Sequence, residues 1–304
     1  MTQGRKKIVV TGSEGFVGRH VVRSLEKDFH VVGFDIARSI FHNTTRKEEV
    51  FAFMEVEKPD IVIHLAANPD VAKSLEFPQE DLYLNTLGTI NMLEACRRFP
   101  VENFILASTA VVYGEMTGQA FKETDAPSPT TPYGIGKAAA EQYCNLYFKR
   151  YKIPTTVFRL FNIYGPGQTR NFAIPNMIAR IREAGSEMQM FGSPNDTRDF
   201  VFIEDICRAF RFAIDKKPAG RTFNLCGGTE IPVLRVAEII AKIMGKQTRF
   251  FYKDGADDNV RVSRILGDNT VTMRDLGWTP AVSLEAGLAQ MINQAPVAAP
   301  SFKN

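Results

Sequence analysis

IVVTGSEGFVG, residues 8–18, is the stretch that decides the fold. A β-branched run ends at Gly12, and glycines at 12, 15 and 18 mark the passage into the helical pattern of GFVGRHVVRSLEKD. Gly12 lets the chain turn, Gly15 lets backbone N–H groups approach a pyrophosphate, and Gly18 lets the helix pack on the sheet. Tight turns without a ligand also carry glycines, so the spacing alone is a weak signal. Its surroundings strengthen it. The next strand, HVVGFD (30–35), ends on Asp35, about 20 residues further along, where a carboxylate takes both hydroxyls of an adenosine ribose and repels a 2′-phosphate. Ile36 and Ala37 follow with no basic neighbour, which favours NAD; Arg38 leaves NADP open.

Outward from this unit, short apolar runs alternate with helical patterns: an amphipathic stretch near 45–57, DIVIHLAA (60–67), a helix over 80–98, NFILAST (103–109), the helix opened by TPYGIGK (131–137), and TTVFRLFNIYG. Continuous apolar strands separated by helices predict an α/β fold, a doubly wound parallel sheet of the Rossmann type covered on both faces. From about residue 167 the elements shorten. The expected division is a dinucleotide-binding domain over 1–166, with the chain returning to it in parts of 195–230. A smaller mixed α/β substrate-binding lobe takes most of 167–294, and 295–304 is a frayed tail.

The chain has 304 residues, 44% hydrophobic and 23% charged, the composition of a soluble globular protein. Its net charge of +3 comes from interspersed acids and bases, which argues against a nucleic-acid partner. Cys96, Cys144, Cys207 and Cys226 are widely spaced, with no zinc-type cluster, and fit a reducing compartment. MTQGRKK leads straight into a strand without a signal-peptide pattern, and no apolar run approaches the roughly 20 residues of a membrane span. A cytoplasmic protein with no membrane partner and no metal is expected.

The helix opened by TPYGIGK carries two glycines in its first turn, although each costs about 1 kcal/mol relative to alanine there. Thr131 suits the N-cap and Pro132 the first helical position. Tyr133 and Lys137 share a face by their i,i+4 spacing. Bringing a tyrosine from its ordinary pKa near 10 to about 7 requires roughly 4 kcal/mol of preferential phenolate stabilisation. A neighbouring ammonium and a positively charged nicotinamide ring are able to supply it. On this reading the glycines keep bulk away from the cofactor.

The glycine motif, the acidic strand end, HLAA (64–67), STAVVYG (108–114), YGIGK (133–137), RLFNIYGPGQ (159–168) and RDFVFIED (198–205) occur in order. Together they resemble the extended short-chain dehydrogenase/reductases, specifically the NAD-dependent nucleotide-sugar epimerase/dehydratase family in its UDP-glucose 4-epimerase-like form. The likeness runs to DLGWTPAVSLEAGL (275–288). It implies that Tyr133 is the acid/base on a sugar hydroxyl, that Lys137 binds the nicotinamide ribose and depresses the phenol, that Thr109 bonds the same hydroxyl and that Ser108 helps nearby. It implies an NAD site lined by Gly12, Gly15, Phe16, Val17, Gly18, Asp35, Ile36, Leu65, Ala66, Ala67 and Asn85, besides Tyr133 and Lys137. For the nucleotide-sugar substrate it implies Asn162 and Arg198 at the diphosphate, Arg261 or Arg264 as a second cation, and Phe172 within the segment that wraps the base.

Two positions depart from parts of that family. Its dehydratases place an acid after the threonine of this motif, where this chain has Ala110 and Val111, which transfer no proton. The segment from Asp35 to Asp60 is short, and SIFHNTT (39–45) stands where a strand bearing an adenine-contacting Asp is usual; His42 or Asn43 are its candidate substitutes. The expected activity is a nucleotide-sugar 4-epimerase, a UDP-hexose being favoured, acting by transient C4 oxidation and hydride return. The alternatives are a 4-ketosugar reductase or nucleotide-sugar dehydrogenase and, from another class, a catalytically silent dinucleotide sensor. A homodimer is expected through the helix at 85–98 and the Tyr133 helix, with Leu87, Ile90, Leu93, Tyr143, Leu146 and Tyr147 supplying apolar faces.

Overall fold

The computed structural model describes residues 4–116, 118–252 and 263–293. Arg261 and the tail expected at 295–304 lie outside them.

The first half of the chain alternates as its pattern predicts: β1 (Lys7–Thr11), α1 (Phe16–Leu25), β2 (His30–Phe34), α2 (Lys47–Glu57), β3 (Ile61–His64), α3 (Val71–Glu76), α4 (Pro78–Leu82), α5 (Gly88–Arg98), β4 (Asn103–Thr109), α6 (Pro132–Tyr151) and β5 (Thr155–Leu160). Between α4 and α5 the backbone widens into a π-turn, Tyr83–Leu87, and a 3₁₀ turn, Ala110–Tyr113, comes after β4. Then come β6 (Asn162–Tyr164), α7 (Ala173–Glu183), β7 (Glu187–Met190), β8 (Thr197–Arg198), β9 (Phe200–Phe202), α8 (Ile203–Lys216), β10 (Arg221–Leu225), β11 (Ile231–Pro232), α9 (Val233–Ile243), β12 (Arg249–Tyr252) and α10 (Leu284–Asn293).

Six parallel strands form the central sheet in the order β10-β5-β4-β3-β1-β2. Strand alternation sends Ile8 and Val10 to one face, into a core shared with α1 and α8, and Val9 to the other, with residues of α2, α5 and α6. Both faces are covered, which is why the strands read as unbroken apolar runs. β2 is the edge strand, because 39–45 forms turns rather than another strand. The sixth strand, β10, arrives from far along the sequence and pairs β5, while β7 pairs β12 beside α7 and α9 in a separate, smaller group. The glycine turn is reached from β1, Asp35 from β2, Leu65–Ala67 from β3, Thr109 ends β4 and Asn162 lies just past β5. They therefore share the carboxyl edge of the sheet, where the order reverses between β1 and β3 and a crevice opens.

Candidate active site

The glycine turn is built for close approach. Gly12 has φ +67°, and a Cβ there would stand 2.8 Å from the Ala66 backbone nitrogen. A Cβ at Gly18 would lie 2.0 Å from the Gly12 carbonyl oxygen. Gly15 is exposed and N-caps α1 without a side-chain bond, and no acid sits in the first turn, which continues through Phe16 and Val17. No acid within that turn competes for its leading N–H groups, as the binding of a dinucleotide diphosphate requires. Asp35 Oδ2 accepts from the Glu14 N–H at 2.9 Å and Oδ1 from the Ala37 N–H at 2.9 Å, so the carboxylate stands against the turn. Arg38 is engaged by Glu14 at 2.5 Å, which offsets the charge that left a 2′-phosphate open. Ile36 is exposed at the same corner.

Of the two candidates for adenine recognition, His42 is packed into the fold with its Nδ1 buried and without a hydrogen-bond partner, and Asn43 is already engaged. The His42 ring stacks on Phe34 with centroids 4.9 Å apart, and Asn43 Oδ1 accepts from the N–H and hydroxyl of Thr45 ahead of α2. Beneath the turn, the Thr11 hydroxyl lies 2.8 Å from His64 Nδ1 and accepts from the N–H groups of Leu65 and Ala66. His64 Nε2 reaches the Thr89 hydroxyl at 3.1 Å. His64, the first residue of HLAA, thus links the end of β1 to α5 beneath the cofactor crevice, a role that its place in the motif does not disclose.

At the head of α6, Thr131 caps the Gly134 N–H at 3.2 Å and Pro132 occupies the first turn. Tyr133 and Lys137 are both buried. The Thr109 hydroxyl accepts from the Val111 N–H at 3.2 Å and hydrogen-bonds the Tyr133 side chain. Lys137 Nζ donates to the Ala107 carbonyl oxygen at 2.8 Å, which uses one of its three protons. Burial pushes the phenol up to about 12, with the Thr109 bond opposing this and the charge of Asp81 adding to it. Burial takes Lys137 down to about 8 against the opposing pull of Asp81. The expected depression of the phenol rests on the ammonium together with the nicotinamide charge; in the protein without that charge, burial outweighs the lowering by Thr109 and the phenol is raised.

The geometry bears on three further expectations. The two glycines of the turn face protein. A Cβ at Gly134 would meet Pro129 Cβ at 2.8 Å and the Val111 carbonyl oxygen at 3.0 Å, and one at Gly136 would meet Asp81 Oδ2 at 3.3 Å and Asn85 Cβ at 3.4 Å. Ser108 is no spare hydroxyl beside Thr109. It donates to Glu141 Oε1 at 2.5 Å, within a buried pair that Glu141 makes with Arg159 at 2.7 Å. Adjacent strand residues point to opposite faces, and that alternation was the available signal. Arg264 is taken by Glu230 at 2.7 and 2.8 Å, which commits it to an ion pair.

Asn162 lies at the crevice on β6, with its Oδ1 buried and without a hydrogen-bond partner. Arg198 donates to the carbonyl oxygens of Thr197 at 2.7 Å and Ser263 at 3.1 Å. Asp199 holds this region together by accepting from the N–H groups of Gly227 at 2.5 Å and of Gly228 and Gly267 at 3.1 Å; burial pushes it up to about 7 against those bonds. Phe172 precedes α7 and is half exposed. Asn85 stands in the π-turn and bonds Asn68 and Asp81, two residues that no motif of the sequence singles out.

The model of the NAD dependent epimerase/dehydratase family matches residues 8–226. The chain belongs to that family. Within it, the chain is 30% identical over 306 residues to a UDP-glucose 4-epimerase of Mycolicibacterium smegmatis, covering 94% of this chain and 97% of that one. It is 29% identical over 312 residues to the dTDP-D-glucose 4,6-dehydratase of Mus musculus, covering 94% and 88%. The fold superposes on a UDP-glucose 4-epimerase of Thermotoga maritima with UDP-glucose at TM-score 0.86 and 30% identity, over 94% of this chain and 97% of that one. The resemblance read from the motifs and the parallel Rossmann-type architecture are both shown, and the enzyme is NAD-dependent. Epimerases and dehydratases stand at nearly equal identity, so the family fixes the cofactor chemistry and leaves the reaction to the site. Among the described residues no helix is long and apolar enough to cross a membrane.

Proposed function

We propose that the protein is a nucleotide-sugar 4-epimerase acting on a UDP-hexose. The observation that carries this reading is the pair of apolar side chains immediately after Thr109. Ala110 is buried, and Val111 packs a methyl group toward Gly134, where a Cβ would stand 3.2 Å from it. Elimination of water needs a proton acceptor at that place, and these side chains have none. The groups able to move or hold a sugar proton there are Tyr133 and Thr109, which suffice for oxidising and re-forming one hydroxyl.

NAD, when bound, supplies the hydride acceptor and a positive charge beside the phenol. Gly15 and the start of α1 would hold its diphosphate, Asp35 its adenosine ribose, and Lys137 and Asn85 its nicotinamide end. Tyr133 takes the C4 hydroxyl proton and gives it back, and Thr109 orients that hydroxyl. Asn162, with its unpartnered oxygen, and Arg198 would hold the substrate diphosphate, and Phe172 would pack on the base. Arg264 would join them only by leaving Glu230. Incubation with a panel of UDP- and dTDP-hexoses, with NMR at C4 and no added NADH, tests the proposal. C4 inversion of a UDP-hexose supports it, whereas water elimination or turnover that depends on NADPH overturns it.

A further inference from the structure

Asp81 is almost fully buried at the end of α4, yet it has no place in the chemistry above. Its Oδ1 accepts from the side-chain amides of Asn85 at 2.8 Å and Asn68 at 3.3 Å. Asn85 Oδ1 accepts from the Asn68 N–H at 3.1 Å, and the Asn85 amide returns a bond to the Asn68 carbonyl oxygen at 3.3 Å. One carboxylate oxygen therefore anchors the loop after β3, which lines the cofactor crevice. The other oxygen, Oδ2, is buried with no hydrogen-bond partner and lies against Gly136, in the turn of α6 that carries Tyr133 and Lys137.

We infer that Asp81 is a positioning residue that holds Lys137 as an ammonium ion at the cofactor crevice while fixing the loop after β3 through Asn68 and Asn85. The charges around Lys137 single it out. The charge of Lys137 is felt by His64 on β3, whose imidazole burial takes down to about 3, so it is neutral. Cys144 is on the lysine's own helix, and burial pushes its thiol up, so it too is neutral. Glu141, also on α6, spends its charge on Arg159 and accepts from Ser108. Asp81 is left as the uncompensated anion acting on Lys137 among the described residues. The attraction is mutual, since Lys137 also favours the ionised form of Asp81, against burial, which pushes that carboxyl upward. A carboxylate oxygen without a hydrogen bond is costly in a dry interior, and the positive charge of Lys137, carried by the α6 turn that Oδ2 faces, offsets part of that cost. The adjoining π-turn, a distortion common at functional sites, keeps Asn85 aligned with Asp81 one turn before it.

The inference rests on the assignment of Lys137 to the nicotinamide ribose, but its test does not need turnover. The apoprotein is titrated with NADH by fluorescence from pH 6 to 9.5. Asp81→Asn retains an oxygen to accept from Asn68 and Asn85 and removes only the charge. Lowering the Lys137 pKa by about one unit takes the ammonium fraction at pH 8 from about one half to about one tenth, so the variant is expected to bind NADH about fivefold more weakly there than at pH 6.5, relative to wild type. Asp81→Glu should restore the wild-type curve. In a Lys137→Met background, Asp81→Asn should leave the pH dependence unchanged. Superimposable curves for wild type and Asp81→Asn overturn the inference, and so does an equal shift in the Lys137→Met background. If the asparagine variant does not fold, Asp81→Ser, smaller and uncharged, answers the same question. A shifted NADH curve in a protein that inverts no sugar would keep this inference and sink the epimerase proposal.

Discussion

Tyr133 carries the largest consequence at the level of one residue. Tyr133→Phe keeps the ring in its buried site and removes the hydroxyl that Thr109 contacts. Turnover is expected to fall by roughly 10² to 10⁴, the usual share of a positioned acid/base. NADH binding should persist, because the glycine turn and Asp35 lie elsewhere. Thr109→Val should cost less, since it removes an orienting hydroxyl and keeps the shape. Steady-state rates and NADH titration of both variants check this, and a phenylalanine variant at wild-type speed would remove Tyr133 from the mechanism. Ser108 was legible as a hydroxyl near the site. Its commitment to Glu141 was not, because that partner belongs to a helix 33 positions further along the chain.

At the level of an element, α6 is the helix on which sequence reading and structure differ most usefully. Its cap, its proline and its i,i+4 pair are local features and were legible. The reason for its glycines was not, because the atoms that crowd a side chain there come from Pro129 and the 3₁₀ turn at Gly134 and from α4 and the π-turn at Gly136. This yields opposite expectations for two alanine substitutions. Gly134→Ala would press on Pro129 and on a backbone carbonyl, and strain of that kind costs about 1–3 kcal/mol. At Gly136 the approaches are 3.3 to 3.5 Å, and about 1 kcal/mol of helix propensity works in the other direction. Urea unfolding should therefore show Gly134→Ala clearly destabilised and Gly136→Ala close to wild type. The reverse order would mean that the two contacts have been misjudged.

For the whole molecule, pH and association are the informative variables. His64 is fully buried, and burial first, then the charge of Lys137, takes it from 6.5 down to about 3. The unfolded chain therefore binds the proton more tightly than the folded one. The associated stability is complete above pH 6.5 and is lost as pH falls toward 3, by about 1.4 kcal/mol per unit. Between pH 7 and 5 the unfolding free energy of wild type should drop about 2 kcal/mol more than that of His64→Gln. Equal drops would assign the acid sensitivity to carboxylates. We also propose a homodimer, with one revision of its surface. Leu93 and Tyr147 are buried within their own fold, the latter donating to Glu94 at 2.6 Å, so neither is available to a partner. Leu82, Tyr83, Ile135, Leu146 and Tyr151 remain exposed on α4, the π-turn and α6, an apolar surface suited to a second copy. Light scattering at micromolar concentration should give twice the 34.0 kDa chain mass, and Leu146→Glu with Tyr83→Glu should return it to the monomer value.

The sequence by itself determined the parallel sheet, the glycine turn on its first strand, Asp35 at the end of its second, and the Tyr133–Lys137 pair. These depend on forces that act within a few residues: strand and helix period, the demand for φ above zero at Gly12, and i,i+4 geometry. The shortened 36–59 segment was equally plain, and β2 is accordingly left at the edge. Tertiary structure alone decided that Asp81 stands against the turn of α6 that carries Lys137, that Arg264 pairs with Glu230, and that burial raises the Tyr133 phenol in the protein without its cofactor. Those outcomes are set by burial and by partners 34 to 56 positions away, whose positions depend on how the helices pack on the sheet. Desolvation is a property of the folded environment, and no spacing along the chain encodes it.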